Sequence, residues 1–143
     1  MKKLTIADYP LAETQGNSVT GTRGVSLDQI TLDGVMDGII EIEDLRITRT
    51  ALHAQADIAR DSGRATLAQN FERGAELVDV PQDVIMQTYE LLRPGRAQSK
   101  AELLDQAEML RQTYGAEQIA EFVARAAEIY YRRGLFPKRP AAT

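Results

Sequence analysis

The side chains that could do chemistry in this sequence are few and lie far apart. His53 is the single histidine, and there is no cysteine, so the several nitrogen or sulfur ligands of a typical zinc site cannot be assembled. The acidic run "EIED" (Glu41–Asp44) could pair two carboxylates for acid–base catalysis or bind a metal. It lacks the spacing of a calcium-binding loop, and we expect a solvated acidic turn. We therefore predict no catalytic, cofactor-binding or metal-binding residue on this chain.

Phosphate and nucleic acid binding are not favoured either. The glycine-containing stretches "GTRG" (21–24) and "LDGVMDG" (32–38) lack the lysine–serine ending of a phosphate-binding loop. The net charge is −4, whereas binding to a nucleic acid backbone requires a concentrated positive face. One basic cluster, expected to be a solvated tail compatible with the helix dipole, comprises Arg132, Arg133, Lys138 and Arg139. The sequence thus predicts no nucleic acid partner.

The composition is that of a globular protein with no membrane segment. Apolar residues make up 43% and charged residues 27% of the 143 residues, which is ordinary for one folded domain. No uncharged apolar run is long enough to cross a membrane, and "MKKLTIADYP" lacks the apolar region of a secretory signal. Because there is also no cysteine, a cytoplasmic location is expected.

Helical periodicity begins after Thr48 and predicts about five helices. Thr48 is a predicted N-cap, and "SKAE" (Ser99–Glu102) matches a capping box. The expected helices run from Thr48 to about Ser62, from Arg64 to Val78, from Pro81 to just before Pro94, from Ser99 to Gly115, and over a last stretch that ends at Gly134. One face of the second helix is expected to turn inwards, with Leu67, Phe71, Ala75 and Val78. Residues 49–143 are thus predicted to form an all-α helical bundle with "FPKRPAAT" as a loose C-terminal tail.

Residues 1–48 are rich in apolar side chains but show little periodicity. The larger aliphatic residues there are Leu11, Val19, Val25, Leu27, Ile30, Leu32, Val35, Ile39, Ile40, Ile42, Leu45 and Ile47. One short helix is expected from Leu32 to Asp37, capped by Thr31, and "IIEIEDLRI" (39–47) alternates as an extended segment would. An irregular segment cannot easily bury so many side chains against itself, although each is worth roughly 1.5–3 kcal/mol when buried. We therefore predict an extended, irregular N-terminal arm that lies along another surface, either the helical domain or a partner subunit.

An ordered series of segments covers nearly the whole chain. It consists of "ADYPLA" (7–12), "SLDQITLDGVMDG" (26–38), "DLRIT" (44–48), "QADIARDSGRATLAQNFERGAEL" (55–77), "VPQDVIMQTYELLRPGR" (80–96), "SKAELLDQAEMLRQTY" (99–114) and "FVARAAEIYYRR" (122–133). Together these segments resemble the small (gamma) subunit of adenosylcobalamin-dependent diol and glycerol dehydratases. The order of the series makes the resemblance specific, whereas each segment alone would be weak.

The resemblance implies a non-catalytic subunit of a lyase that converts 1,2-propanediol or glycerol to propanal or 3-hydroxypropanal by radical chemistry. Its partners would be large (alpha) and medium (beta) subunits, in an assembly with two copies of each chain. The large and medium subunits would bind adenosylcobalamin, and the large one would carry the active site and its metal ion. Residues 1–48 would then be an arm that docks on a partner subunit, and this chain would stabilise the assembly by packing on the large subunit. The choice between diol and glycerol stays open, because the substrate pocket lies on another chain.

Two further expectations concern location and independence. The sequence reaches "DYPL" by residue 8 and so lacks the longer N-terminal extension of relatives associated with bacterial microcompartments, which makes encapsulation doubtful. Without the resemblance, the same helices and apolar surplus are also typical of a free-standing helical adaptor or regulatory protein that binds an unrelated partner.

Overall fold

The computed structural model describes residues 3–137, and within them the chain is helical and contains no strand. The α-helices of this part are α1 (Leu11–Thr14), α2 (Leu32–Met36), α3 (Arg49–Asp61), α4 (Ala65–Leu77), α5 (Gln82–Leu92), α6 (Lys100–Tyr114) and α7 (Glu117–Arg133). This part also has three short 3₁₀ helices: Ile6–Asp8 before α1, Leu27–Gln29 between α1 and α2, and Ile42–Leu45 between α2 and α3. The predicted all-α class is confirmed, and α3–α7 are the five helices expected after Thr48.

The ends of the long helices are set by local chemistry. The Thr48 hydroxyl oxygen accepts a hydrogen bond from the N–H of Ala51 over 3.1 Å, and Ser99 accepts one from the N–H of Glu102 over 3.2 Å. Both bonds satisfy an amide that has no partner within the helix. The Glu102 carboxylate reaches back to the N–H of Gln98 over 2.6 Å, one residue earlier than in a standard capping box. At the other end of α6, Gly115 has φ +63°, a left-handed conformation that a residue without Cβ adopts at little cost.

By its contacts the chain divides into two compact units, Met1–Val78 and Asp79–Thr143. In the first unit α3 packs against α4 through small residues. Its buried cluster consists of Ala56, Ala59 and Ala68, with Phe71 packed against it. The inward face predicted for α4 is therefore partly wrong, because Leu67 is 38% and Val78 39% exposed, while Ala75 is buried as predicted and Ala68 is buried as well. Alanines allow the two helices to approach closely, and this turns the larger side chain of Leu67 outwards.

The extended N-terminal arm is not confirmed. Residues 4–48 consist of short helices and turns that belong to the same compact unit as α3 and α4. The first 3₁₀ helix contacts α3, where the N–H of Ile6 donates to Asp61 Oδ2 over 2.8 Å. The contacts thus divide the chain after Val78, whereas the sequence predicts a division after Thr48.

The extended conformation predicted for 39–47 is wrong, because Ile42–Leu45 forms a 3₁₀ helix. Asp44 closes this turn, since its Oδ2 accepts a hydrogen bond from the N–H of Glu41 over 3.0 Å. The short helix predicted just before it is confirmed as α2. Thr31 caps α2 by accepting from the N–H of Gly34 over 3.1 Å.

The second unit is built on the packing of α6 against α7. The residues that fill this contact are buried: Leu103, Ala107, Leu110, Ala120, Val123 and Ala127. A buried hydrogen bond of 2.7 Å from Gln106 Nε2 to Thr88 Oγ1 joins α6 to α5, and the Tyr130 hydroxyl of α7 donates to the carbonyl of Leu92. Phe136, predicted to lie in a loose tail, is half-buried, and its ring centroid lies 6.2 Å from that of Tyr130 in an edge-to-face arrangement. Lys138 and Arg139 of the predicted tail lie outside the described residues.

An exposed ion cluster joins the end of α6 to the start of α7. Arg111 Nη1 lies 2.6 Å from Glu108 Oε2, and Arg111 Nε lies 2.9 Å from Glu117 Oε2. The pKa of Glu108 is lowered, chiefly by the hydrogen bond that its carboxylate accepts from Gln112 and next by the one from Arg111. The pKa of Arg111 is raised by the hydrogen bonds that its guanidinium donates to Glu117 and to Glu108. Because the cluster is open to solvent, its contribution to stability is small.

Candidate partner-binding surface

The structure keeps the few chemistry-bearing side chains apart. His53 lies on α3 and is exposed. Among residues 3–137 no three histidine, aspartate or glutamate side chains come close enough to hold a metal ion. No helix in this part of the chain combines the length and apolarity needed to cross a membrane.

The acidic run at 41–44 differs from the solvated turn predicted for it. The Asp44 side chain is fully buried, and its Oδ2 lies 2.9 Å from Arg23 Nη1. Arg23 Nη1 also lies 3.1 Å from Glu41 Oε2, so one guanidinium serves two carboxylates. Burial of a carboxylate requires such a paired and hydrogen-bonded arrangement. No local sequence rule links Asp44 to an arginine 21 positions earlier, so the burial was not predictable from spacing.

The most exposed apolar side chains of unit Met1–Val78 concentrate in its short helices. Leu32 is 76%, Met36 77% and Ile42 72% exposed. The exposed large apolar residues between positions 32 and 47, which we call the 32–47 surface, are Leu32, Val35, Met36, Ile39, Ile42, Leu45 and Ile47; Ile6 and Tyr9 are also exposed but lie outside this segment. The sequence predicts that residues 1–48 contain more apolar side chains than this segment can bury. The exposure of these seven residues confirms that prediction for the described chain.

Helical geometry groups these side chains. Leu32, Val35 and Met36 are spaced i, i+3 and i+4 along α2 and therefore share one face. Ile42 and Leu45 are three apart in a 3₁₀ helix, where such positions are eclipsed. The 32–47 surface thus contains two short apolar ridges, one on each helix, with Ile39 between the helices and Ile47 after the second.

Two inward-facing residues hold these ridges in place. Ile40, between the ridges, is only 7% exposed, and Asp44 lies inside the second ridge with its ion pair to Arg23. A cavity of about 330 Å³ lies beneath the second ridge, lined by Val19, Thr20, Gly21, Leu27, Ile30, Asp44, Leu45, Arg46, Ile47, Thr48 and Ala51. The cavity therefore provides space, next to the exposed residues Leu45 and Ile47, that a side chain of a partner could fill.

The second unit exposes apolar side chains in a more scattered way. Met86 is 48% and Tyr89 57% exposed on α5. On α7, Tyr131 is exposed and its ring centroid lies 5.2 Å from the Lys100 ammonium. Single exposed residues of this kind are ordinary on a protein surface.

An all-α chain with a concentrated apolar surface and dispersed reactive groups has the features of an interaction subunit. A family model for the dehydratase small subunit matches residues 4–136. The propanediol dehydratase small subunit of Salmonella typhimurium is 44% identical over 128 residues, which cover 90% of this chain and 73% of the relative. That of Citrobacter freundii is 43% identical over 128 residues, which cover 90% of this chain and 74% of the relative.

The chain therefore belongs to the dehydratase small-subunit family, and the resemblance seen in the ordered segments is confirmed. It is one subunit of a multi-subunit lyase, and other subunits of that enzyme are its partners. This membership does not favour the alternative of a free-standing helical adaptor.

Proposed function

We propose that this chain is the non-catalytic small subunit of an adenosylcobalamin-dependent diol or glycerol dehydratase and packs on the large subunit of that enzyme. The enzyme would convert 1,2-propanediol or glycerol to propanal or 3-hydroxypropanal. Two relatives named as propanediol dehydratase small subunits support the substrate class. The assembly would contain two copies each of the large, medium and small subunits.

The 32–47 surface is the observation that carries this proposal. Leu32, Met36 and Ile42 are each more than 70% exposed in the folded chain. Their apolar surface is in contact with water, and a partner would cover it. Burial of such area drives most protein association. We therefore assign the contact with the large subunit to residues 32–47, which belong to the segment expected from the sequence to dock.

The cofactor would be bound by the large and medium subunits, where it supplies the radical chemistry. The described residues of this chain contain no group of three potential metal ligands, and its single histidine, His53, is exposed on α3. The role of this chain's own residues is then to hold the assembly together. Its cytoplasmic location stays a prediction.

Co-purification with the other two subunits tests the proposal. The tagged chain is co-expressed with the large and medium subunits, and aldehyde release from 1,2-propanediol and from glycerol is measured with adenosylcobalamin. We expect a complex of all three chains whose activity or lifetime falls when this chain is omitted. Recovery of the chain alone, or an equally active and durable complex without it, would contradict the proposed role.

A further inference from the structure

The negative charge of this protein is concentrated in the segment that carries its exposed apolar residues. Residues 26–47 contain six acidic side chains and one basic side chain, Arg46. The acidic ones are Asp28, Asp33, Asp37, Glu41, Glu43 and Asp44. The segment thus has a net charge of −5, against −4 for the whole chain. Arg23 pairs with Glu41 and Asp44 of this segment, and counting it brings the local net charge to −4. Such an asymmetry creates a local negative field next to an apolar surface.

A second, independent feature of this segment also indicates a partner with hydrogen-bond donors. Asp44 is 3% exposed, and within the described chain its Oδ1 accepts no hydrogen bond, although Oδ2 accepts from Arg23 and from the Glu41 N–H. A buried carboxylate oxygen without a partner costs free energy that a donor would recover. Asp44 is also one of the residues that line the cavity of about 330 Å³ under Leu45 and Ile47. A donor from a partner would reach the enclosed Oδ1 only after a local shift of the side chains around it.

The charge also decides against a second copy of this chain as the occupant. Two copies that met through the 32–47 surface would bring one segment of local net charge −4, counted with the paired Arg23, against another. Like charges placed opposite each other oppose association. A basic partner surface would instead be attracted by the negative charge of this segment. Apolar side chains between its cations could pack on the exposed apolar residues.

We propose that the 32–47 surface binds a basic and apolar patch of the large subunit, in which lysine or arginine side chains alternate with aliphatic ones. This inference rests on the proposed function and adds the chemistry of the partner surface to it. The aliphatic side chains cover residues such as Leu32 and Ile42, while the cations face Asp33, Asp37 and the Asp44 cavity. Long basic side chains suit this arrangement because their aliphatic stems also pack on apolar area.

Salt dependence of assembly, measured with two charge-matched variants, tests the proposal. Asp33→Asn/Asp37→Asn removes two negative charges from the segment, at exposed side chains near opposite ends of α2. Asp105→Asn/Glu121→Gln makes the same change in net charge at exposed positions on α6 and α7. Affinity for the large and medium subunits is measured for both variants and the wild type at about 50 mM and 500 mM salt. Interactions between exposed charges are largely screened beyond about 10 Å at 0.1 M, and over shorter distances as the salt concentration rises.

We expect wild-type affinity to fall at high salt. At low salt the Asp33→Asn/Asp37→Asn variant should bind about 2- to 30-fold more weakly than wild type, which is what the loss of two exposed charge pairs amounts to. The difference should be largely gone at high salt. The control variant should stay within about twofold of wild type at both salt concentrations. Carbodiimide cross-linking should join carboxylates of 33–43 to lysines of the large subunit.

Two results overturn the inference, and they can be told apart. Wild-type binding that is equally tight at both salt concentrations, with both variants alike, leaves the docking role intact and refutes the basic partner surface. A wild-type chain that binds neither subunit at either salt concentration refutes the proposed function, and this inference with it.

Discussion

Truncation of the 32–47 surface should weaken assembly without weakening the fold. In the variant Leu32→Ala/Ile42→Ala, each substitution removes three side-chain carbons, worth about 0.8 kcal/mol apiece when fully buried. Leu32 is 76% and Ile42 72% exposed in the free chain, so about three quarters of that burial would be gained only on docking. The expected loss is roughly 3–4 kcal/mol in association free energy, or about 10²–10³-fold in Kd.

The free variant should unfold at the same urea concentration as the wild type, because surface substitutions usually change stability by within about 0.5 kcal/mol. The assay is titration of the purified chain into the large and medium subunits, followed by calorimetry or native mass spectrometry. The matched control is Met86→Ala/Tyr89→Ala, which truncates exposed side chains on α5 and should leave Kd unchanged. A folded Leu32→Ala/Ile42→Ala chain that assembles with wild-type affinity would refute the assignment of the surface.

Three further predictions test the interior and the electrostatics. Thr88→Val leaves the buried Gln106 amide without its acceptor, and the free energy of unfolding in urea should fall by about 1–3 kcal/mol. Arg23→Met removes the cation that pairs with the buried Asp44 carboxylate and leaves it the Glu41 N–H, which should cost about 3–5 kcal/mol and speed amide hydrogen exchange in residues 21–45 before the rest of the chain. The lowered pKa of Glu108 means that its contribution is complete above the ordinary value of 4.5 and is lost as the pH falls through the lower folded value. Stability of the Glu108→Gln variant should therefore depend less on pH below about 4.5 than that of the wild type, as measured by urea unfolding.

The features that could be predicted from sequence are those that neighbouring residues determine. Thr48 and Ser99 cap α3 and α6 with hydrogen bonds to amides three residues later, and Gly115 ends α6 in the left-handed conformation. These interactions are closed within one helical turn, so the order of residue types is enough to identify them. The number and approximate bounds of the five long helices follow from such signals.

The features that sequence reasoning missed depend on contacts between distant residues. In α4 the rule that large apolar residues turn inwards placed Leu67 in the core, but the alanines of α3 admit Ala68 instead. Likewise Asp44 is buried only because Arg23 reaches it from another turn. In both cases the deciding partner lies too far along the chain for periodicity to reveal it.

The 32–47 surface was predictable from the sequence in part only. The apolar surplus of residues 1–48 could be counted in the sequence, but an irregular segment gives no period from which to decide which residues stay exposed. Which residues stay exposed is determined by neighbouring residues whose side chains are buried. Ile40 is buried, and a Cβ at Gly34 would lie 2.9 Å from its Cγ1, so only glycine allows α2 to pack this closely. The Asp44 ion pair fixes the second ridge in the same way. Because both ridges are thus already formed in the free chain, docking needs little further ordering of the backbone, and more of the free energy of burial can appear as affinity.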